Sequence, residues 1–110
     1  MPFGKKIDGS GRRRAAREEV ALAGSAMSMR WSRPVIVTDV SARGAKLEGQ
    51  DLNRLDPEVL LRVGNVDFFA SIAWARWKEC GISFDEPLTR GMIAHIKREG
   101  DWATVMGVAA

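Results

Sequence analysis

The fold class follows from residues 59–78, which read VLLRVGNVDFFASIAWARWK. In the second half of this stretch the side chains alternate between two faces, as they do along a strand whose faces meet different surroundings. The pair Gly64–Asn65 stands between two apolar runs and is typical of a two-residue hairpin turn, because both residue types accept positive φ. The stretch is therefore predicted to form a β-hairpin.

The second strand of this hairpin is expected to run from Val66 to Lys78. Strict alternation places Trp74 on the same face as Phe68 and Ile72, which predicts a core position for its indole. Trp77 falls on the opposite face, where it is available to a ligand or a partner.

Further strands are indicated on both sides of the hairpin. The segment 34–40, PVIVTDV, is dense in β-branched residues, which fit a pleated surface better than a helix. Alternation in segment 20–26 is weaker, and a helix over 14–24 is a competing interpretation because Ala, Arg and Glu favour helices. Segments 45–48 and 82–84 are predicted as short strands, with residues 50–57 as a polar loop.

The end of the chain changes to helical spacing. Leu88, Met92, Ile93 and Ile96 recur on one helix face, Thr89 is a candidate N-cap, and Gly100 is expected just past the last turn. The resulting prediction is a mainly β protein, a six-stranded antiparallel β-barrel with a C-terminal α-helix.

Composition limits the class of protein. The 110 residues accommodate one domain, and 45% of them are apolar, which allows a modest core. The single cysteine, Cys80, excludes an internal disulfide, fits a reducing compartment and is expected to be a small buried residue. No stretch has the length of a membrane span or the pattern of a secretory signal, so a cytoplasmic location without membrane insertion is expected.

Charge is distributed unevenly along the chain. Residues 1–17 contain six lysines and arginines and one aspartate, whereas the remaining residues contain eleven basic and thirteen acidic side chains. A basic N-terminal segment of this kind is typical of a site for an anion, either a nucleotide phosphate or a nucleic-acid backbone.

Two short motifs carry candidate chemistry. The first is Arg13-x-x-x-Arg17; a guanidinium can bind a phosphate or a guanine edge through two parallel hydrogen bonds. The second is Asp39-x-Ser41-x-x-Gly44, whose Asp and Ser can bond backbone groups or face a ligand. Taken separately, the first also fits a solvated charged face and the second an ordinary turn between strands.

The two motifs together, in this order and at this separation, resemble those of the PilZ domain family, whose barrel is of the split type. The resemblance extends over about residues 12–98, because Arg17 leads into a first strand and residues 73–84 are similar to the family's late hairpin. It implies that the chain binds cyclic di-GMP, a second messenger with two guanines and two phosphates.

The resemblance also implies individual roles. Arg13 and Arg17 would hold guanine edges and phosphates, Asp39 would accept hydrogen bonds from a guanine, Ser41 would contact the ligand or brace the turn, and Gly44 would permit close approach of the backbone. The corresponding domain division is a flexible lead-in (1–11), a PilZ-like domain (12–99) and a tail (100–110). The domain would comprise an arm (12–17), a barrel (about 18–86) and a helix (about 89–99).

No catalytic or metal pattern accompanies these motifs. His95 has no second ligand at metal-binding spacing, and Ser41 has no base in its sequence context. The sequence therefore predicts a non-enzymatic receptor without a cofactor, which changes conformation when it binds cyclic di-GMP and acts through a protein partner. Two alternatives remain open: a nucleic-acid-binding barrel with a basic tether, and a PilZ-like interaction domain that does not bind ligand.

Overall fold

The alternating and β-branched segments form six strands in a computed structural model that describes residues 17–100. The strands and helices, in chain order, are β1 (Glu18–Met27), β2 (Ser32–Val40), β3 (Gly44–Gly49), a 3₁₀ turn (Leu52–Arg54), β4 (Glu58–Val63), β5 (Val66–Ala75), β6 (Glu79–Phe84) and helix α1 (Arg90–Gly100).

The strands close into an antiparallel barrel with the order β1-β2-β3-β6-β5-β4, and β4 pairs back onto β1. This confirms the predicted fold class. A barrel of six strands is narrow enough for side chains to fill it. Its interior is packed by alternate residues of every strand, among them Leu22, Val37, Leu47, Leu61 and Ile82.

The ambiguous segment before Met27 is a strand from Glu18 onward, so the helical alternative is wrong for the described residues. Pairing with β2 and β4 favours the strand over the helix, because it satisfies the backbone hydrogen-bonding groups and buries Leu22 and Ala26. The predicted hairpin turn is confirmed between β4 and β5, although only Gly64 of its two residues has positive φ, at 62°.

Helix α1 begins after Thr89, whose Oγ1 accepts a hydrogen bond from the Met92 amide at 3.1 Å, as expected of an N-cap. The helix includes Gly100, one residue more than predicted. Buried Ile96 packs α1 into the core, and Lys97 is tied to Glu18 of β1 by a 2.6 Å ion pair.

Two other boundaries differ from the prediction. The loop before β4 contains the 3₁₀ turn, and Leu52 and Leu55 are buried in the core. Although its composition is mostly polar, this segment therefore contributes to the core. Strand β5 ends at Ala75, three residues early. There the chain turns so that the Trp77 indole N–H donates to Asp51, itself in a left-handed conformation with φ 57°.

Within residues 17–100 there is no helix with the length and apolarity that crossing a bilayer requires. Arg13 and the rest of the arm before Arg17 lie outside the described residues, as do Trp102 and the C-terminal tail.

Candidate ligand-binding site

One surface cavity of about 320 Å³ is lined by every described residue of the two motifs, namely Arg17, Asp39, Ser41 and Gly44. Arg17 precedes β1, Asp39 lies near the end of β2, and Ser41 and Gly44 belong to the turn that leads into β3. Antiparallel pairing of β1 with β2 sets Glu19 opposite Asp39, which brings Arg17 near the same strand end. Residues 22 apart in sequence thus meet at one site.

Asp39 and Arg17 form an ion pair, with Nη2 and Oδ2 separated by 2.8 Å. The pair is unequal in exposure, because the Arg17 side chain is 66% exposed and that of Asp39 only 21%. An ion pair this open to water stabilises by at most about 1 kcal/mol. The Arg17 guanidinium can therefore exchange Asp39 for an anion that binds it more strongly.

The second carboxylate oxygen of Asp39 has a different environment. Oδ1 is buried and has no hydrogen-bond partner within residues 17–100. A buried acceptor without a donor costs free energy relative to one that is hydrogen-bonded. Asp39 therefore has one carboxylate oxygen without a donor, Oδ1, beside one that is paired with the exposed Arg17 guanidinium, Oδ2.

Ser41 braces the turn. Its Oγ accepts a hydrogen bond from the Arg43 amide at 3.3 Å and lies 3.4 Å from the Gly44 carbonyl, to which it donates. The Ser41 amide also donates to the Gly44 carbonyl, at 2.9 Å. Of the two roles that the sequence allowed for Ser41, the structure shows this one.

Gly44 is required by the neighbouring strand. It pairs with Ser83 of β6, and a Cβ at this position would collide with the backbone carbonyl of Ile82. Its φ is not positive. The close approach that the sequence suggested is thus between β3 and β6.

A row of cross-strand neighbours continues from Asp39 over the outer face of the sheet. Asp39 pairs with Lys46 of β3, Lys46 with Gly81 of β6, and Gly81 with Trp74 of β5. Adjacent strands lie about 4.8 Å apart, so the row from Asp39 to Trp74 spans about 14 Å.

Trp74 faces outward, not into the core as predicted. The pairing of β5 with β6 is irregular between Ile72 and Trp74, where Ala73 is an extra residue, and this β-bulge reverses the alternation. The Trp74 side chain is 42% exposed, and its indole lies over Gly81, where no side chain could fit beneath it. The far wall of the cavity is consequently a flat aromatic ring.

Charged side chains surround this ring. The Arg76 guanidinium lies 5.5 Å from the centre of the Trp74 ring. Glu79 joins Arg76 and Lys46, with a 3.1 Å contact to Lys46 and a longer one of 3.5 Å to Arg76. Among the described residues, the charged lining of the cavity consists of three cationic side chains, Arg17, Arg43 and Lys46, and one carboxylate, that of Asp39. The cavity therefore favours an anionic ligand.

Sequence reasoning identified the acidic end of this site and missed its aromatic end. Gly81 was the available signal, because an isolated glycine inside a strand often marks a bulge or a close approach. Lys46 and Arg43 follow from alternation once the strand pairing is known.

Residues 17–100 contain no group of three or more potential metal-binding side chains. The chain matches no protein-family model, and a search of the curated proteins returned no match.

Proposed function

We propose that this chain is a receptor domain for cyclic di-GMP, of the PilZ type. The proposal rests on one observation. A carboxylate that can pair with guanine, cationic side chains and an exposed indole line the same cavity and lie in one row. A purine dinucleotide with anionic phosphates combines the three chemistries that these groups recognise.

Asp39 recognises guanine in this proposal. The N1–H and exocyclic amine of guanine are adjacent donors, and a carboxylate can accept from both. The buried, unpaired Oδ1 supports this role, because a guanine would supply the donor that residues 17–100 do not.

Arg17 acts as a movable cation. In the described state it is paired with Asp39, and ligand binding exchanges this contact for a phosphate or for the O6 and N7 edge of a guanine. Arg13, four residues earlier and outside the described residues, is assigned the same function.

Trp74 provides a stacking surface. Aromatic side chains on which bases stack contribute about 1–3 kcal/mol per base. The ring is kept flat against the sheet by the absence of a side chain at Gly81, and the nearby Arg76 adds positive charge for a phosphate.

The domain acts as a non-enzymatic sensor. Its output is a change of surface when the arm moves from Asp39 to the ligand, which a protein partner then recognises. The exchange of Arg17 between two anions is the switch element.

Isothermal titration calorimetry of the full chain with cyclic di-GMP, GTP and single-stranded DNA tests this proposal. Binding is expected for cyclic di-GMP alone. Arg13→Ala and Arg17→Ala should abolish it, and Asp39→Ala should weaken it about tenfold or more, because each removes charge-assisted hydrogen bonds of roughly 1.5–3 kcal/mol. Arg98→Ala, an exposed arginine on α1 away from the cavity, is the matched control and should bind normally.

Salt-sensitive binding of DNA without a nucleotide preference would instead support the nucleic-acid alternative. A specific place exists for it, since the guanidinium groups of Arg33 and Arg54 each lie 5.1 Å from the Trp31 ring at the opposite end of the strands. Trp31→Ala would then reduce binding and Trp74→Ala would not. If none of the three ligands produces heat of binding, the result would support the other alternative, a PilZ-like interaction domain that does not bind ligand.

A further inference from the structure

A second concave surface lies across strands β4 and β5. It consists of two adjoining cavities, of about 540 and 320 Å³, which share Phe69 and Asp85. Because the two cavities share these lining residues, they are treated as one surface, called here the β4–β5 groove. Its apolar lining includes Met27, Met29, Leu60, Phe69, Leu88 and Met92.

The groove is built on the outer face of the barrel by strand register. Met27 pairs with Leu60, and Leu60 pairs with Phe69, so these three side chains form a row across β1, β4 and β5. In the closed strand order, β4 lies opposite β3, which carries the centre of the candidate ligand site. The groove shares no lining residue with that site.

Two of the apolar side chains of the groove are widely open to solvent. Phe69 is 70% exposed and Met29 is 94% exposed. Alternation along a strand of a closed barrel normally places polar residues outward, so an outward row of Met, Leu and Phe departs from the pattern. Methionines adapt to the shapes of different partners, which suits a binding surface.

The rim of the groove is acidic. Its charged lining residues are all carboxylates, and the described part of the groove contains no lysine, arginine or histidine (Asp56, Glu58, Asp67, Asp85 and Glu86). Asp56 is paired with Arg30 and Asp67 with Arg62. Glu58, Asp85 and Glu86 have no ion-pair partner within residues 17–100, so no cation among these residues neutralises the three carboxylates.

We propose that the β4–β5 groove is a docking surface for a segment of a partner protein that carries both apolar and basic side chains. The apolar side chains would pack on Phe69 and Met29, and lysines or arginines would pair with Glu58, Asp85 and Glu86. Nucleic acid and anionic membrane surfaces do not fit, because the rim repels their phosphates. The surface is separate from the proposed cyclic di-GMP site and does not depend on it.

The test uses a short fluorescein-labelled peptide of alternating Lys and Leu, with a Glu–Leu peptide as its counterpart, titrated with the full chain. Fluorescence anisotropy should show saturable binding of the basic peptide alone. Phe69→Ser should weaken this binding about tenfold or more, since anchoring aromatic residues dominate interfaces. Trp77→Ser, which removes another exposed aromatic ring outside the groove, is the matched control and should leave it unchanged.

The charges are tested in the same way. The double variant Asp85→Asn/Glu86→Gln should weaken binding several-fold, whereas Glu48→Gln/Glu99→Gln, two exposed acids elsewhere, should not. Equal binding of both peptides, no saturable binding, or indifference to Phe69 and to the groove acids would overturn the proposal. If sedimentation velocity shows a dimer that Phe69→Ser dissociates, the groove belongs to a second copy of this chain and the proposal is also overturned.

Discussion

Gly44 of β3 and Gly81 of β6 lie on neighbouring strands and lack a side chain for different reasons. A Cβ on Gly44 would strike the backbone carbonyl of Ile82, whereas a Cβ on Gly81 would strike the indole of Trp74. The backbone of a closed barrel is fixed by inter-strand hydrogen bonds, whereas an exposed indole can move aside. The same substitution should therefore damage the fold at one position and the ligand site at the other.

Gly81→Ala is predicted to displace the Trp74 indole while leaving the barrel folded. The proposed ligand loses its stacking surface, so affinity for cyclic di-GMP should fall roughly tenfold, consistent with about 1–3 kcal/mol for one stacked base. The shift of the Trp74 indole N–H signal in NMR spectra reports the displacement, and calorimetry reports the affinity. A displaced indole with unchanged affinity would exclude stacking.

Gly44→Ala is predicted to destabilise the protein by about 1–3 kcal/mol, because strands β3 and β6 must separate to admit the methyl group. For a domain of this size, each kcal/mol lowers Tm by about 4–8 °C. Thermal unfolding followed by circular dichroism measures the change. Gly91→Ala is the control, because a Cβ there has open space apart from an ordinary contact with Thr89.

Cys80 is fully buried on β6, and burial raises the pKa of its thiol to about 11. At about pH 8, only about one thiol in a thousand is then ionised, and that one is shielded from reagents. Ellman's reagent should react with the native protein far more slowly than with the protein in guanidinium chloride. Equal rates would show that Cys80 is accessible.

At the scale of elements, the β-bulge in β5 has the largest consequence for function. It turns Trp74 outward to the candidate ligand site, whereas Phe69, which precedes the bulge on the same ten-residue strand, reaches the β4–β5 groove by regular alternation. A second irregularity, between Val37 and Asp39, adjusts the position of Asp39 against Lys46. Bulges redirect side chains in this way because one extra residue reverses the faces of all that follow.

Helix α1 supplies a prediction at this scale. Thr89→Ala removes the side-chain acceptor of the Met92 amide and should cost about 1 kcal/mol of stability. The expected fall in Tm is about 4–8 °C. Thr89→Ser keeps the hydroxyl and should restore most of the loss. If Thr89→Ser is as unstable as Thr89→Ala, the methyl group and not the cap is responsible.

At the scale of the whole molecule, the two faces of the barrel differ in charge. Arg17, Arg43 and Lys46 line the candidate ligand site, while carboxylates surround the β4–β5 groove. In the two proposals above, the anionic ligand and the basic partner therefore bind at different surfaces that share no lining residue.

The loops at one end of the barrel are joined by Arg30 and Asp56, in contact through both the guanidinium and the Arg30 amide. Hydrogen bonds from Arg30 lower the pKa of Asp56 from 3.8 to about 2. The stabilisation is complete above the unfolded-state pKa and is lost as pH falls through the folded-state pKa. Urea unfolding of Asp56→Asn should show lower stability than wild type near neutral pH, with the difference vanishing by about pH 2.

Strands β2 to β6, the hairpin at Gly64, the cap at Thr89 and the motif residues could be predicted from the amino-acid sequence, since each depends on near neighbours: alternation, β-branching, turn preference and side-chain capping. That Arg17 meets Asp39, that β1 is a strand and that Trp74 faces outward became known from the folded chain. Those outcomes depend on pairing between distant segments. A single extra residue such as Ala73 reverses every later side chain, and it leaves no mark in the local pattern.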